Sequence, residues 1–293
     1  MTSTATAQTV TPELRRWIID QAEAGCRPQD VIDSMKASGW HEDVAIKAME
    51  QTLREHLATL GDSPGRSVLE DLPPSSKVPE PALEGQPPSI TVGGHEVQIL
   101  TQLKLPRVIV FGGFLTDDEC TGLMELAGPR LARSETVDNA TGGSEVNSAR
   151  TSDGMFFERG EHELIRRVEQ RIADLIRWPV DHGEGLQILR YRPGAEYRPH
   201  HDYFDPAQAG TPRILQRGGQ RVGTLVMYLN TPEGGGGTTF PDVGLEVAPV
   251  RGNAVFFSYD RAHPSTKTLH GGAPVVAGEK WVATKWLRQG VFI

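Results

Sequence analysis

Cysteine is nearly missing from this chain. Cys26 and Cys120 are its only two, too few and too far apart for a disulfide framework or a thiolate metal site. A reducing compartment is therefore the expected setting, and any metal has to be held by histidine and carboxylate. Long apolar runs are missing too: no stretch of about 18 uninterrupted apolar residues occurs. The opening from Met1 to Trp17 has no basic start followed by an apolar core. Both absences argue against a membrane span or secretion and lead to an expected cytoplasmic location. Lysine and arginine form no run, and the formal charge is −8 with a pI near 5.6. A nucleic-acid or anionic-membrane binder needs a basic surface to displace counterions, so neither partner is expected.

What is present suits a globular protein of one large domain and one small one, since 293 residues with 38% hydrophobic content can fill a core. Residues 1–58 are expected to form a three-helix bundle. Thr11 is the N-cap of the first helix, with Pro12 at its first position and Leu14, Trp17, Ile18 and Ala22 along one face. The second helix buries Val31, Ile32 and Met35 and stops at Gly39; the third carries Val44, Ala45, Ala48, Met49, Thr52 and Leu53 at helical spacing. The turn from Met35 to Trp40 resembles that of ubiquitin-associated-like three-helix domains. That likeness implies a docking module for a protein partner with Trp40 exposed; the alternative is that Trp40 plugs the small core. Residues 59–90 turn to Pro, Ser, Gly and charge without an apolar period, which is linker chemistry.

Residues 91–293 form the third segment. Val108 to Phe111 is expected as a buried strand. Thr116 to Glu119 is a capping box opening a helix, and Leu164, Ile165, Val168, Ile172, Leu175 and Ile176 mark a second helix over Glu161 to Arg177. From Leu186 onward short strands follow one another between Gly and Pro: Leu186–Tyr191, Tyr197–Tyr203, Arg221–Asn230, Thr238–Phe240, Leu245–Val247, Ala254–Ser258 and Lys280–Gln289. The fold class is thus mainly β with flanking helices, a double-sheet jelly roll whose early helices back one sheet. The run Gly234 to Gly237 lacks the Lys-Ser/Thr of a phosphate loop and leads into a strand, so it marks a tight bend. His182 and His263 lie near Gly or Pro and belong to loops. The segments from Arg133 to Ser148 and from Asp205 to Gly219 have the composition of lids.

The sharpest local feature is Tyr197-Arg-Pro-His200-His201-Asp202. Strand side chains alternate, so His200 and Asp202 share a face and can grip one ion. A later histidine from another strand would complete a two-histidine, one-carboxylate triad of the kind that leaves open positions on Fe(II), and His270 is the candidate. Ten residues on, Lys280 opens a strand whose even-numbered side chains share a face. A lone strand lysine usually faces solvent, but Val282 beside it makes this face apolar.

From about Pro106 to Gln289 the chain resembles the 2-oxoglutarate and Fe(II)-dependent dioxygenases of the prolyl 4-hydroxylase type. The resemblance rests on Phe114-Leu-Thr-Asp-Asp-Glu-Cys120, Arg150-Thr-Ser-Asp-Gly154, Tyr191-Arg-Pro-Gly-Ala-Glu-Tyr197, Pro199-His-His-Asp-Tyr-Phe204, Arg221-Val-Gly-Thr224-Leu-Val-Met-Tyr228 and Gly236-Gly-Thr238. The His270 segment and Lys280-Trp-Val-Ala-Thr-Lys-Trp286 complete it. It implies a double-stranded β-helix in which His200, Asp202 and His270 bind iron and Lys280 pairs with the far carboxylate of 2-oxoglutarate. It also implies Tyr191 and Thr224 as hydrogen-bond donors to that cosubstrate, and Tyr197, Arg150 and Trp286 on the substrate side. The implied reaction consumes O2 and 2-oxoglutarate, releases succinate and CO2, hydroxylates a C–H bond of a prolyl residue in a protein or peptide, and uses ascorbate as reductant. The same chemistry on a free small molecule, and a silent jelly-roll scaffold, are the competing expectations; the scaffold would be favoured by a missing triad member, and all three are present.

Overall fold

The structure, a computed structural model, describes residues 10–23, 28–61, 72–134, 136–137, 144–145 and 151–293. Arg150, Cys26 and most of the expected lid from Arg133 to Ser148 lie outside them. The chain divides into two compact units between Leu72 and Pro73. No helix among the described residues is long and apolar enough to cross a membrane.

The first unit contains α1 (Pro12–Glu23), α2 (Pro28–Ala37) and α3 (Glu42–Gly61). Thr11 accepts a hydrogen bond from the Leu14 amide at 3.3 Å, an N-cap contact that satisfies one of the free amides of the first turn. Ile18, Met35, Ala45 and Ala48 form the shared core, and Trp40 packs against it half-buried, so the indole serves that core. Gly39 has φ of +90°, the left-handed conformation glycine adopts most cheaply, and it turns the chain from α2 toward α3.

In the second unit the strands are β1 (Ser89–Val92), β2 (His95–Leu103), β3 (Arg107–Gly112), β4 (Ala132–Arg133), β5 (Thr136–Val137), β6 (Ser144–Glu145), β7 (Asp153–Phe157), β8 (Leu186–Tyr191) and β9 (Tyr197–His200). They continue with β10 (Arg221–Tyr228), β11 (Gly234–Gly235), β12 (Thr238–Phe240), β13 (Leu245–Val247), β14 (Ala254–Ser258), β15 (His270–Gly272), β16 (Val275–Ala277) and β17 (Lys280–Arg288). Helices α4 (Asp117–Ala127), α5 (Glu163–Ile176) and the short α6 (Thr211–Leu215) interrupt them. The large sheet runs β1-β2-β3-β14-β10-β17-β8-β7-β4 and the small one β13-β12-β15-β9, all pairs antiparallel. One face of the large sheet packs Ile109, Phe111, Ile188, Leu225, Phe256 and Leu287 against the apolar stripe of α5 and against Leu123 of α4. Its other face packs Leu189, Tyr228, Phe257 and Val282 against Phe240 and Val247 of the small sheet. Covered on both sides, β14 is buried at every residue, which is why Ala-Val-Phe-Phe-Ser does not alternate.

Three expectations need correction. The early strands are more numerous than the one expected before the helices: β1 and β2 precede β3, and β7 lies between α4 and α5. The hairpin of β1 and β2 turns on Gly93 and Gly94, both at positive φ (58° and 79°), a two-glycine signal easily passed over in a Pro-rich neighbourhood. Residues 73–90 pack on the second unit: the Ser76 amide and hydroxyl donate to Asp260 O, the Glu80 amide donates to Ile176 O, and Glu80 pairs with Arg107. Proline removes periodicity without removing contacts. Finally, β9 stops at His200 and does not reach Tyr203.

A buried ion pair joins the two main helices. Glu119, which closes the capping box with Thr116, accepts from Arg171 at 2.6 and 2.8 Å and from Arg167 at 3.0 Å. Burial alone would raise its carboxyl, but the Arg171 bonds, the Thr116 amide and Arg167 bring it down to about 2. Because the folded value lies below the ordinary 4.5, this contribution is complete above that pH and fades as pH falls toward 2. Glu119→Gln leaves the Arg171 guanidinium buried without its counter-charge, and a urea melt is expected to record a loss on the order of 3 kcal/mol.

Candidate active site

Between the two sheets lies a cavity lined by residues from six strands of the fold. β15 pairs with β9 in a register that sets His270 directly opposite His200. This close approach depends on Gly271, where an added Cβ would come within 2.9 Å of the Tyr197 carbonyl oxygen. The imidazole rings end with centroids 4.4 Å apart. Asp202, two residues beyond the end of β9, completes the group: its Oδ1 is 3.5 Å from His200 Nε2 and its Oδ2 is 3.4 Å from His270 Nε2.

Each imidazole is oriented by its own backbone. His200 Nδ1 lies 2.9 Å from Arg198 O, and His270 Nδ1 lies 3.0 Å from Thr268 O. Carbonyls only accept, so each Nδ1 carries the proton and each Nε2 lone pair is left for a ligand. Burial and the neighbouring His270 push the His200 imidazole down, which keeps it in its neutral form. Burial would raise the Asp202 carboxyl, but the two imidazoles beside it hold it well below the usual carboxylate range. Two neutral nitrogens and one carboxylate, converging with no thiolate, are the donor set Fe(II) takes, and three protein ligands leave its remaining positions open. Among the described residues these three form the single group able to hold a metal ion, their donor atoms lying within 4.8 Å of one another.

Lys280 lines the same cavity from β17, where its register partner is Tyr191. It is 4% exposed, its ammonium 5.5 Å from the Tyr191 ring centroid and 5.9 Å from that of Tyr228, and no described carboxylate lies within ion-pair distance. Burial lowers it to about 8 against the opposing influence of Glu246. A buried cation facing a cavity without a bonded counter-charge fits an anionic ligand. The alternation expected along β17 is observed, since Lys280, Val282, Thr284 and Trp286 all face the cavity. Lys285, between them, points to the helix side and pairs with Glu169 at 2.6 Å.

The other expected site residues divide. Tyr191 and Tyr197 both line the cavity, and Tyr197 stacks on His200 with centroids 3.7 Å apart. Trp286 lines it as well, with its indole Nε1 buried and unpartnered among the described residues. Thr224 is there too, and its hydroxyl donates to Asp202 Oδ2 at 2.7 Å, supporting the carboxylate. Arg150 is outside the described residues.

Several contributors were not singled out as site residues in the sequence. The Tyr259 hydroxyl sits 3.1 Å from Thr224 Oγ1 behind the carboxylate, and Tyr228 donates to Thr238 at 2.8 Å. Glu184, Arg221 and Arg288 form a buried ion triad: Arg221 donates from Nε to Glu184 Oε1 (2.6 Å) and from Nη2 to Oε2 (2.9 Å), and Arg288 Nε donates to Oε1 (2.7 Å). Burial by itself would raise the Glu184 carboxyl, yet the two guanidiniums keep it lowered. Arg221 and Arg288 are register partners, a relation visible only once β10 and β17 are paired.

A family model described as the 2OG-Fe(II) oxygenase superfamily matches residues 186–288, the stretch that carries the triad and Lys280. The chain is 40% identical over 208 residues to probable prolyl 4-hydroxylase 3 of Arabidopsis thaliana, covering 64% of this chain and 71% of that one. It is 42% identical over 202 residues to prolyl 4-hydroxylase 1 of the same plant, covering 63% and 69%. Among solved structures, a viral collagen prolyl hydroxylase from Paramecium Bursaria Chlorella virus-1, in a 2OG complex, aligns with a TM-score of 0.48 at 30% identity over 62% of this chain and 95% of that one. The chain belongs to the 2OG-Fe(II) oxygenases of the prolyl 4-hydroxylase type and is a 2-oxoglutarate-dependent dioxygenase.

Proposed function

We propose that this enzyme hydroxylates prolyl residues within a protein or peptide. The observation that carries the reading is a single cavity holding both the His200–Asp202–His270 donor set and an unneutralised buried cation, Lys280, in a chain about 40% identical to relatives named prolyl 4-hydroxylases. When bound, Fe(II) and 2-oxoglutarate supply the oxidising chemistry, in which one atom of O2 leaves in succinate with release of CO2 and the other becomes the hydroxyl of the product.

The chain's own residues do the rest. His200, Asp202 and His270 would hold the metal, Thr224 fixes the carboxylate of Asp202, and Lys280 would receive the far carboxylate of 2-oxoglutarate with Tyr191 beside it. Tyr197 and Trp286, with Arg150 outside the described residues, form the substrate side. Ascorbate would serve as the external reductant. The small helical unit recruits the polypeptide, as a ubiquitin-associated-like module would.

Incubation of the purified chain with Fe(II), 2-oxoglutarate, ascorbate and proline-containing peptides is expected to give peptide carrying one added oxygen on proline, seen by tandem mass spectrometry, with one succinate per hydroxylation. Succinate formation that no such peptide stimulates would count against a prolyl substrate. Lys280 also fixes a pH dependence. Its ammonium is charged below about 8 and lost above it, so kcat/KM for 2-oxoglutarate is expected to fall about tenfold per pH unit on the alkaline side. Steady-state kinetics from pH 6 to 9.5 tests this, and Lys280→Arg should abolish the alkaline fall of whatever activity it keeps.

A further inference from the structure

Asp202 stands outside the strand ladder that seats the two histidines. The ladder between β9 and β15 ends at His200, so the two histidines sit on paired strands and the carboxylate does not. Side chains from β10 and the residue before it fix its backbone instead. Gln220 clasps Phe204, accepting from the Phe204 amide and donating to the Phe204 carbonyl, both at 2.8 Å. Arg221 Nη1 reaches Asp202 O at 3.4 Å, a long bond that would hold little alone. The Arg221 guanidinium does not hang free, however: Glu184 grips it by two bonds, and it lies 4.8 Å from the Phe204 ring centroid and 4.2 Å from that of Trp286. Arg288, bound to the same Glu184, packs on Phe204 at 4.8 Å and donates to Gly219 O at 2.7 Å.

We propose that Arg221, gripped by Glu184 and assisted by Gln220, is a positioning residue for the metal carboxylate: it holds the irregular segment Asp202–Phe204 in the path that presents Asp202 to His200 and His270. The guanidinium suits this task because its planar fork can bond Glu184, reach a carbonyl and lie between two aromatic rings at once; a lysine ammonium can do only part of this. Groups that orient metal ligands without touching the metal typically govern affinity by ten- to a hundredfold.

This inference rests on the metal-binding reading of the triad, and Co(II) distinguishes the failure of one from the failure of the other. Metal-free full-length chain is titrated with Co(II) by calorimetry and by visible absorption. The parent is expected to bind one ion. Arg221→Lys and Gln220→Leu are each expected to weaken binding about tenfold or more and to shift the Co(II) absorption. Glu119→Gln, which breaks a buried ion pair remote from the site, should lose stability yet bind Co(II) within about twofold of the parent. Arg221→Lys and Gln220→Leu variants that bind as tightly as the parent would overturn the proposal, as would an equal loss in Glu119→Gln. A parent that takes up no Co(II) would overturn the metal reading itself.

Discussion

Replacing Asp202 by alanine is expected to abolish stoichiometric metal binding and to lower succinate formation by about a thousandfold or more. The size follows from what the carboxylate does. It is the only anionic donor in the triad, it lies within 3.5 Å of both imidazole Nε2 atoms, and its ionised state is kept by those imidazoles. Metal-ion catalysis is worth several kcal/mol, and about 4 kcal/mol is already a factor of a thousand. Thr224 and Tyr259 add to the effect, because both hydroxyls are arranged around a charge that would no longer be there. Metal content by mass spectrometry, alongside succinate release at saturating Fe(II), checks the expectation; an Asp202→Ala protein that retains one tightly held iron and near-parental turnover would refute the assignment.

Lys280→Ala should raise the 2-oxoglutarate requirement by a hundredfold or more while leaving metal affinity close to that of the parent. An uncompensated charge in a buried ion pair costs on the order of 3 to 5 kcal/mol, which corresponds to about a hundredfold to a few thousandfold in affinity. The conditions for such a large effect are met. The ammonium is 4% exposed, its aromatic neighbours cannot replace a carboxylate, and burial already pulls its proton affinity down to about 8, so the free site is costly to keep charged. Lys280→Met, which keeps the chain as far as Cε and removes the charge, should behave like the alanine variant. Equilibrium binding of 2-oxoglutarate to the metal-loaded protein separates this from a defect in turnover, and an unchanged dissociation constant would remove Lys280 from its proposed role.

His200, Asp202 and the facing of Lys280 were legible because their signals are local or periodic, while His270 as third ligand rested on the family resemblance. His200 and Asp202 are two apart, and Lys280 opens a strand whose alternation is clean. Helix α5 was legible for the same reason, its six apolar positions recurring along one face. What escaped depends on pairings between distant segments. Nothing near Glu184 announces that Arg221 and Arg288 will converge on it, since each stands at the end of a strand where charge usually meets solvent. Thr224 was identified as a cavity residue, but its bond to Asp202 escaped, because a hydroxyl's acceptor is decided by a segment distant in sequence. The expected strand from Tyr197 to Tyr203 was too long by three residues. Apolar and aromatic character persists through Tyr203 and Phe204, but they pack onto guanidiniums and another tyrosine and form no ladder.

The strand that comes last in the large sheet's sequence order, β17, lies in its interior between β10 and β8 and carries Lys280 and Trp286. During synthesis, then, the sheet stays split until this segment leaves the ribosome, with two open edges facing each other and neither able to close. Nascent protein cannot capture its organic cosubstrate before that moment. A frameshift or nonsense change upstream of residue 280 would leave both edges permanently available to other chains, so such products should aggregate instead of persisting as quiet fragments.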